Sequence, residues 1–323
     1  MIINNSIFCE YYKQNTLIDK YQDMPEEGLT VIIPIIHTNE LWKNNLYSIY
    51  KEVPVKRLLI SDGGCKDNSI EIVKQFPRVE ILNHHNYKTL GYCLKELILH
   101  VETKWFIYLH SDVYLPSGWY NTMTSYKGEY DWFGCPQQIT VMAEYKNTDK
   151  MQGVLRPYAG SQMGKKEAFI RGIDIIDDDF VYRQEDFVLA KIVEDNGYKH
   201  GFVEDTFHYH QVMHKESPWS RKINNVQVNV EWSDAEIIRA STMQVMGIIK
   251  YLDPLPHLIR EVETHIATLK QFNSFKKKEF MEWIENTNPL WNSKISIRNV
   301  YMRLIYKKYF KNIKEYVRRI SNV

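Results

Sequence analysis

The sequence has few cysteines, no long apolar run and almost no net charge. Its four cysteines lie far apart and form no C-x-x-C pair, which favours reduced thiols over disulfides or a structural zinc site. No apolar run approaches the ~18 residues of a membrane span, and the N-terminus has no signal-peptide pattern, so we expect a cytoplasmic protein. Because 41 Lys and Arg balance 40 Asp and Glu, the charge gives no indication of nucleic-acid binding.

The apolar content is sufficient for a large core, with 44% apolar and 13% aromatic residues in a chain of 323. Short apolar runs alternate with helical patterns in the first part of the chain. The predicted strands are residues 29–36, 55–60, 79–82 and 105–109, with helices between them. This alternation predicts an α/β fold with a doubly wound, mostly parallel sheet. Since Pro34 cannot donate a hydrogen bond, we expect strand pairing to stop there.

Asp112 follows the aromatic-rich strand 105–109, and residues 116–118 (Pro-Ser-Gly) then break the pattern. In open α/β sheets, ligands bind outside the carboxyl ends of the strands. An acid at this point can hold a metal ion or a ribose hydroxyl. The alternative is a turn residue or a helix N-cap.

Two further acidic stretches occupy comparable positions. Asp62 follows the second strand and precedes Gly63 and Gly64, which allow close approach of a ligand. Glu185 and Asp186 open an apolar helix that should end at residues 196–197 (Asn-Gly). Carboxylates are also favoured in a first helical turn by the helix dipole, so a purely structural role for this pair stays open.

Two histidines follow the acidic pair. Residues 202–210 are predicted as one strand, which places His208 and His210 on the same face. Residues 130–141 are predicted as another strand, interrupted at Pro136. The two histidines are either structural or ligands of a metal.

The first strand, the Asp-Gly-Gly turn, the strand before Asp112, the Glu-Asp pair and the terminal histidine occur in one order over residues 29–212. That order resembles the family-2 glycosyltransferases of the GT-A fold. The resemblance implies a Rossmann-like, doubly wound, mostly parallel sheet with a helical extension after it. It also implies an enzyme of glycan biosynthesis that transfers a sugar from a nucleotide-diphosphate sugar to an acceptor hydroxyl, with inversion.

The resemblance also implies roles for individual residues. Asp186 is the expected general base, with Glu185 beside it in the catalytic pair. The expected donor-binding residues are Pro34, Ile35, Asp62, Lys95, His110, Ser111, Asp112 and Arg221. The expected metal ligands are Asp112, His210 and His208.

The sequence departs from the family at its D-x-D motif, which here reads His110-Ser111-Asp112. Imidazole is a suitable ligand for Mn²⁺ but a poor one for Mg²⁺, which prefers oxygen. The expected cofactor is therefore a divalent metal, Mn²⁺ or Mg²⁺, and the requirement for it stays open at this point.

The predicted organisation is an N-terminal segment (1–28), a catalytic domain (29–230) and a helical region (231–323). Helices are predicted at 235–252, 257–272 and 276–284. Residues 294–320 alternate basic and apolar side chains, which is typical of a basic amphipathic helix. Such a helix can contact a membrane peripherally, pack on the domain, or form a homo-oligomer. The expected acceptor is a glycan or a lipid-linked molecule.

Two other functions are compatible with the same type of sheet. A sugar-phosphate nucleotidyltransferase would carry a Gly-rich, Arg-containing loop after the first strand, and residues 34–38 contain neither. A catalytically impaired binding protein of the GT-A fold stays open, because His110 replaces an acid.

Overall fold

The computed structural model describes residues 25, 27–38, 41–85, 90–141, 146–151, 160–173, 184–212, 220–223, 226–229 and 232–292. The chain divides into two compact units, Met1–Pro218 and Trp219–Val323. The domain boundaries expected after residues 28 and 230 stay a prediction.

The first unit contains eleven strands and six helices among its described residues. The strands are β1 (Leu29–Ile35), β2 (Val55–Asp62), β3 (Val79–Asn83), β4 (Trp105–Leu109), β5 (Val113–Tyr114), β6 (Trp132–Gly134), β7 (Gln137–Val141), β8 (Lys146–Met151), β9 (Ser161–Lys165), β10 (His200–Phe202) and β11 (His208–Val212). The helices are α1 (Trp42–Glu52), α2 (Ser69–Val73), α3 (Leu90–Leu99), α4 (Trp119–Ser125), α5 (Glu167–Ile170) and α6 (Glu185–Asp195).

The central sheet has seven strands in the order β10-β6-β9-β4-β1-β2-β3. The pairs β1–β2, β1–β4, β2–β3 and β6–β10 are parallel, and only β9 runs antiparallel to its neighbours β4 and β6. Val31, Ile33 and Ile35 pack in one core with residues of α1, while Ile32 points to the other face and is also fully buried. The predicted doubly wound, mostly parallel α/β fold is confirmed.

The sequence predicted that pairing of β1 stops at Pro34, and this prediction is wrong, because β1 pairs with β2 as far as Ile35. Pro34 aligns with Ser61, and Ile35 aligns with Asp62. The Ile35 carbonyl accepts a hydrogen bond from Gly63 N–H. Because backbone polar groups alternate between the two edges of a strand, the Pro34 nitrogen points away from β2. On that edge, β1 is paired with β4 only as far as Ile32, so the missing donor breaks no ladder.

A second sheet has the strand order β5-β11-β7-β8. The predicted strand 130–141 is in fact β6 and β7, separated by Cys135 and Pro136, and the predicted strand 202–210 is β10 and β11. β6 pairs with β10 in the central sheet, and β7 pairs with β11 in the second sheet. The segments β6–β7 and β10–β11 therefore run next to each other as they cross from the central sheet to the second sheet. This places β11 against β5, the strand that begins directly after Asp112.

The second unit contains a hairpin, β12 (Ser220–Ile223) with β13 (Val226–Asn229), and four helices among its described residues. The helices are α7 (Asp234–Tyr251), α8 (Pro256–Leu269), α9 (Lys277–Thr287) and α10 (Pro289–Asn292). Ser233 and Glu236 form a capping box at the start of α7. The predicted helical region is confirmed up to residue 292, and the basic segment 294–320 lies outside the described residues. None of the described helices is long and apolar enough to span a bilayer.

Candidate active site

Asp62 is the last residue of β2 and is buried. Its Oδ1 accepts hydrogen bonds from the backbone N–H groups of Gly64 (3.0 Å) and Cys65 (2.8 Å), and its Oδ2 lies 2.8 Å from Nε2 of His85. Burial opposes ionisation, but these hydrogen bonds outweigh it and keep the pKa of Asp62 below its ordinary value. The carboxylate thus fixes its own Gly-rich turn and stays ionised.

The turn after β1 is tied to the turn that carries Asp62. Asp67 accepts a hydrogen bond from Thr38 N–H (3.1 Å) through Oδ2 and from Ser69 N–H (3.1 Å) through Oδ1. The hydroxyls of Thr38 and Ser69 are 2.6 Å apart. With Ile35 aligned to Asp62, the ends of β1 and β2 form one rigid edge that includes the predicted donor-binding residues Pro34, Ile35 and Asp62.

Asp112 lies beside His210, because β11 pairs antiparallel with β5 and aligns His210 with Val113. Asp112 Oδ2 is 3.0 Å from His210 Nε2, and Asp112 Oδ1 is buried without a hydrogen-bond partner. Burial raises the pKa of Asp112, but the neighbouring His210 and His110 lower it more, to about 2. An ionised carboxylate with an unsatisfied buried oxygen is a candidate metal ligand.

His110 connects this carboxylate to the acidic pair of α6. Its Nε2 is 2.9 Å from the Tyr108 hydroxyl and 3.2 Å from Glu185 Oε1. Burial lowers the pKa of His110, but Glu185 raises it more, so that it lies above its ordinary value. The ligand atoms of His110, Asp112 and His210 all lie within 4.8 Å of one another. Two imidazoles and one carboxylate form a donor set that fits Mn²⁺ better than Mg²⁺.

His208 is not part of that group. It shares a face with His210, with ring centroids 6.3 Å apart, but it is fully buried and its Nδ1 lies 2.8 Å from the Ser161 hydroxyl. Burial holds the pKa of His208 well below its ordinary value, so its ring is neutral. A Cβ at Gly160 would lie 2.5 Å from His208 Nε2, so a glycine is required here. This environment favours the structural role for His208 over the predicted role as metal ligand.

Glu185 and Asp186 form the first turn of α6, and both are buried. Burial raises the pKa of Glu185, but the hydrogen bond from His110 lowers it more, so this carboxyl is ionised. For Asp186, burial and the charge of Glu185 act in the same direction and raise the pKa to about 7. The pair therefore contains one fixed anion and one carboxyl that exchanges its proton near neutral pH.

Three further residues, Ser111, Lys95 and Arg221, were predicted to bind the donor. Ser111 lies between His110 and Asp112, and its carbonyl accepts a hydrogen bond from Asn45 Nδ2 (2.7 Å). Lys95 lies in α3, and Arg221 lies in β12 of the second unit. Their binding to a donor stays a prediction.

Sequence reasoning missed Tyr108, Gln137 and His85. His85 follows β3 and could have been found by the strand-end rule that indicated Asp62 and Asp112. Tyr108 lies inside a strand and looks like an ordinary core residue. Gln137, whose Oε1 is hydrogen-bonded to His210 Nδ1, becomes a neighbour of the site only through the pairing of β7 with β11.

Several solved structures are similar to the chain at low identity. S. aureus TarS (residues 1–349, with UDP-GlcNAc) is 15% identical, with 78% of this chain and 76% of that chain covered and a TM-score of 0.48. The mannosyltransferase PcManGT from Pyrobaculum calidifontis, with GDP-Man and Mn²⁺, is 12% identical, with 83% and 82% covered and a TM-score of 0.45. GalNAc-T7 with UDP, GalNAc and Mn²⁺ is 15% identical, with 80% and 57% covered and a TM-score of 0.46. These likenesses are distant, and nothing about the substrate of this chain follows from them.

No curated protein sequence matches the chain significantly. Residues 30–189 match the family model described as glycosyl transferase family 2. This match covers β1 to the first turns of α6, and so contains Asp62, Asp112 and the Glu185–Asp186 pair. The chain is therefore a glycosyltransferase, and its residues 30–189 belong to glycosyl transferase family 2.

Proposed function

We propose that the protein transfers a sugar from a nucleotide-diphosphate sugar to an acceptor hydroxyl with inversion, and that Asp186 is the general base. The observation that carries this proposal is the chain of contacts from Asp112 and His210 through His110 to the acidic pair. Glu185 Oε1 lies 3.2 Å from His110 Nε2, and Asp186 is the next residue. This adjacency supports a general base next to a candidate cation site, which would take up the charge of a leaving diphosphate.

The leaving diphosphate carries charge that must be neutralised. A divalent cation held by Asp112, His210 and His110 would supply Lewis-acid neutralisation of that charge. The residues themselves contribute an ionised carboxylate and two imidazoles in a half-buried setting, where charges interact more strongly than in bulk water. This donor set supports Mn²⁺ over Mg²⁺ as the cofactor.

The acceptor hydroxyl must lose a proton as the new glycosidic bond forms. Asp186 is suited to accept it, because a general base works best when its pKa lies near the operating pH, and its pKa is raised to about 7. Glu185 is held by His110 and Tyr108, and its negative charge sustains the raised pKa of Asp186. Attack by the activated hydroxyl from the face opposite the diphosphate inverts the anomeric centre.

The edge formed by the ends of β1 and β2 is the proposed nucleotide site. Asp62 presents an ionised carboxylate there, next to Ile35, and His85 covers its Oδ2. We expect the nucleobase to bind against this carboxylate. The acceptor is a glycan or a lipid-linked molecule, which the described residues do not distinguish.

The test is transfer from a panel of nucleotide sugars, with the anomeric configuration of the product read by NMR. Asp186→Asn keeps the shape of the side chain but removes the proton acceptor, so transfer should fall by a factor of about 10²–10⁴ while donor affinity is retained. Asp195→Asn is the matched control, because Asp195 is an exposed carboxylate at the other end of α6. Retention of the anomeric configuration, or normal turnover in Asp186→Asn, would contradict the proposal.

A further inference from the structure

Both ring nitrogens of His210 face oxygen atoms. Nε2 lies 3.0 Å from Asp112 Oδ2, and Nδ1 is hydrogen-bonded to Gln137 Oε1. A neutral imidazole has only one N–H group. When Gln137 Oε1 accepts the Nδ1–H, Nε2 turns a lone pair towards the Asp112 carboxylate. Two lone pairs at this separation repel each other unless a proton or a metal cation lies between them.

Gln137 is placed for this contact by the second sheet. It is the first residue of β7 and aligns with His208 in the parallel pairing of β7 with β11. Because side chains alternate between the faces of a strand, Gln137 lies on the same face as His208 and His210. Gln137 is buried, with 8% of its surface exposed, so its amide is held against the ring rather than in solvent. Gln138, the next residue, faces the other side of the sheet.

We propose that Gln137 is a positioning residue that fixes His210 with its proton on Nδ1 and so leaves Nε2 free to bind a divalent cation together with Asp112. The inference rests on the cation site of the proposed function and adds the residue that prepares it. Histidine ligands commonly donate their other N–H to an acceptor that sets the ring orientation and tautomer. If the Gln137 amide nitrogen faced the ring instead, Nδ1 would accept and the proton would lie on Nε2, between the ring and Asp112.

The first measurement is Mn²⁺ binding to the metal-stripped protein, followed by the electron paramagnetic resonance signal of free Mn²⁺. Gln137→Met keeps the length of the side chain but removes the acceptor, and it should weaken Mn²⁺ binding about 10–100-fold. Gln137→Glu keeps an oxygen that can only accept, and it should bind Mn²⁺ at least as tightly as the wild type. Gln138→Met is the matched control, since it makes the same substitution on the opposite face of β7, and it should bind Mn²⁺ like the wild type.

A second measurement reports the tautomer itself. In protein labelled with ¹⁵N-histidine and loaded with Zn²⁺, the His210 ring should show a protonated Nδ1 and a metal-bound Nε2. The His210 resonances are identified by their loss in His210→Gln. In Gln137→Met the Nδ1–H should exchange with solvent at least tenfold faster. A purely structural role for Gln137 would leave the exchange rate of the His210 Nδ1–H unchanged in Gln137→Met.

The possible outcomes separate this inference from the proposed function. Equal Mn²⁺ affinity of Gln137→Met and the wild type overturns the role of Gln137 and leaves the cation site intact. Binding by Gln137→Glu that is as weak as that of Gln137→Met also overturns it, because the acceptor oxygen would then not be the feature that matters. A wild-type protein that binds no Mn²⁺ overturns both the cation site and the inference.

Discussion

Asp186→Asn should make the protein more stable as well as less active. Burial and the charge of Glu185 raise the pKa of Asp186 from an ordinary value of 3.8 to about 7. A pKa displaced by one pH unit corresponds to about 1.4 kcal/mol, so this displacement corresponds to up to about 4 kcal/mol. The wild-type protein bears that cost whenever Asp186 is ionised in the folded state, and asparagine does not ionise.

The pH dependence follows from linkage between protonation and folding. Below pH 3.8 the carboxyl is protonated in both the folded and the unfolded chain, so the variant gains nothing. Between pH 3.8 and about 7 the unfolded chain releases its proton while the folded protein keeps it, and wild-type stability falls as the pH rises. Above about pH 7 both states are ionised, and the difference between variant and wild type is constant and largest.

Urea unfolding of the two proteins at several values from pH 4 to pH 8 measures this difference. The Asp186→Asn curve should lie above the wild-type curve by an amount that grows with pH, while Asp195→Asn follows the wild type. Functional residues often cost stability in this way. A variant that is equally stable or less stable at pH 8 would refute the raised pKa, and with it the reason for choosing Asp186 as the base.

Three further predictions concern the donor, the metal and the tail. Asp62→Ala should weaken binding of the preferred nucleoside diphosphate by about 1–3 kcal/mol, measured by calorimetry, whereas unchanged affinity in the folded variant counts against a contact with the base. Asp112→Ala should abolish Mn²⁺ binding, and excess EDTA should abolish transfer by the wild type. Full activity in EDTA would show that transfer needs no metal. Truncation after Asn292 should reduce co-sedimentation with anionic vesicles at low salt if residues 294–320 contact a membrane, because each basic residue near such a surface contributes about 1 kcal/mol. Equal, negligible pelleting of both chains would exclude that contact.

The positions of the acidic residues could be predicted because they depend on local sequence. Asp62 and Asp112 follow apolar runs that form strands, and Glu185 and Asp186 open a helix whose end is marked by Asn196 and Gly197. Parallel strands place their carboxyl ends at one edge of the sheet, so Asp62 and Asp112 could be assigned to the same edge without any knowledge of the register.

The interior contacts of the site could not be predicted in the same way. The pairing of Gln137 with His210 depends on two segments that change sheets together, and no local pattern encodes that non-local step. Side-chain alternation correctly placed His208 and His210 on one face. It could not indicate that His208 would lie beneath Gly160, beside Ser161, while His210 reaches Asp112. The continued pairing at Pro34 likewise depends on where the neighbouring strand ends.

The contact between Asp112 and His210 joins residues that are 98 positions apart in the chain. A cation shared by these two side chains would act as a reversible cross-link that closes a long loop and fastens β11 of the second sheet to the end of β4. The unfolded chain would have to close this long loop before the two side chains could share a cation, so the cation binds the folded state far more tightly. At a cation concentration one hundred times the Kd, the folded state would gain about 2.7 kcal/mol. The Tm should therefore rise with the concentration of divalent cation, even when no sugar nucleotide is present.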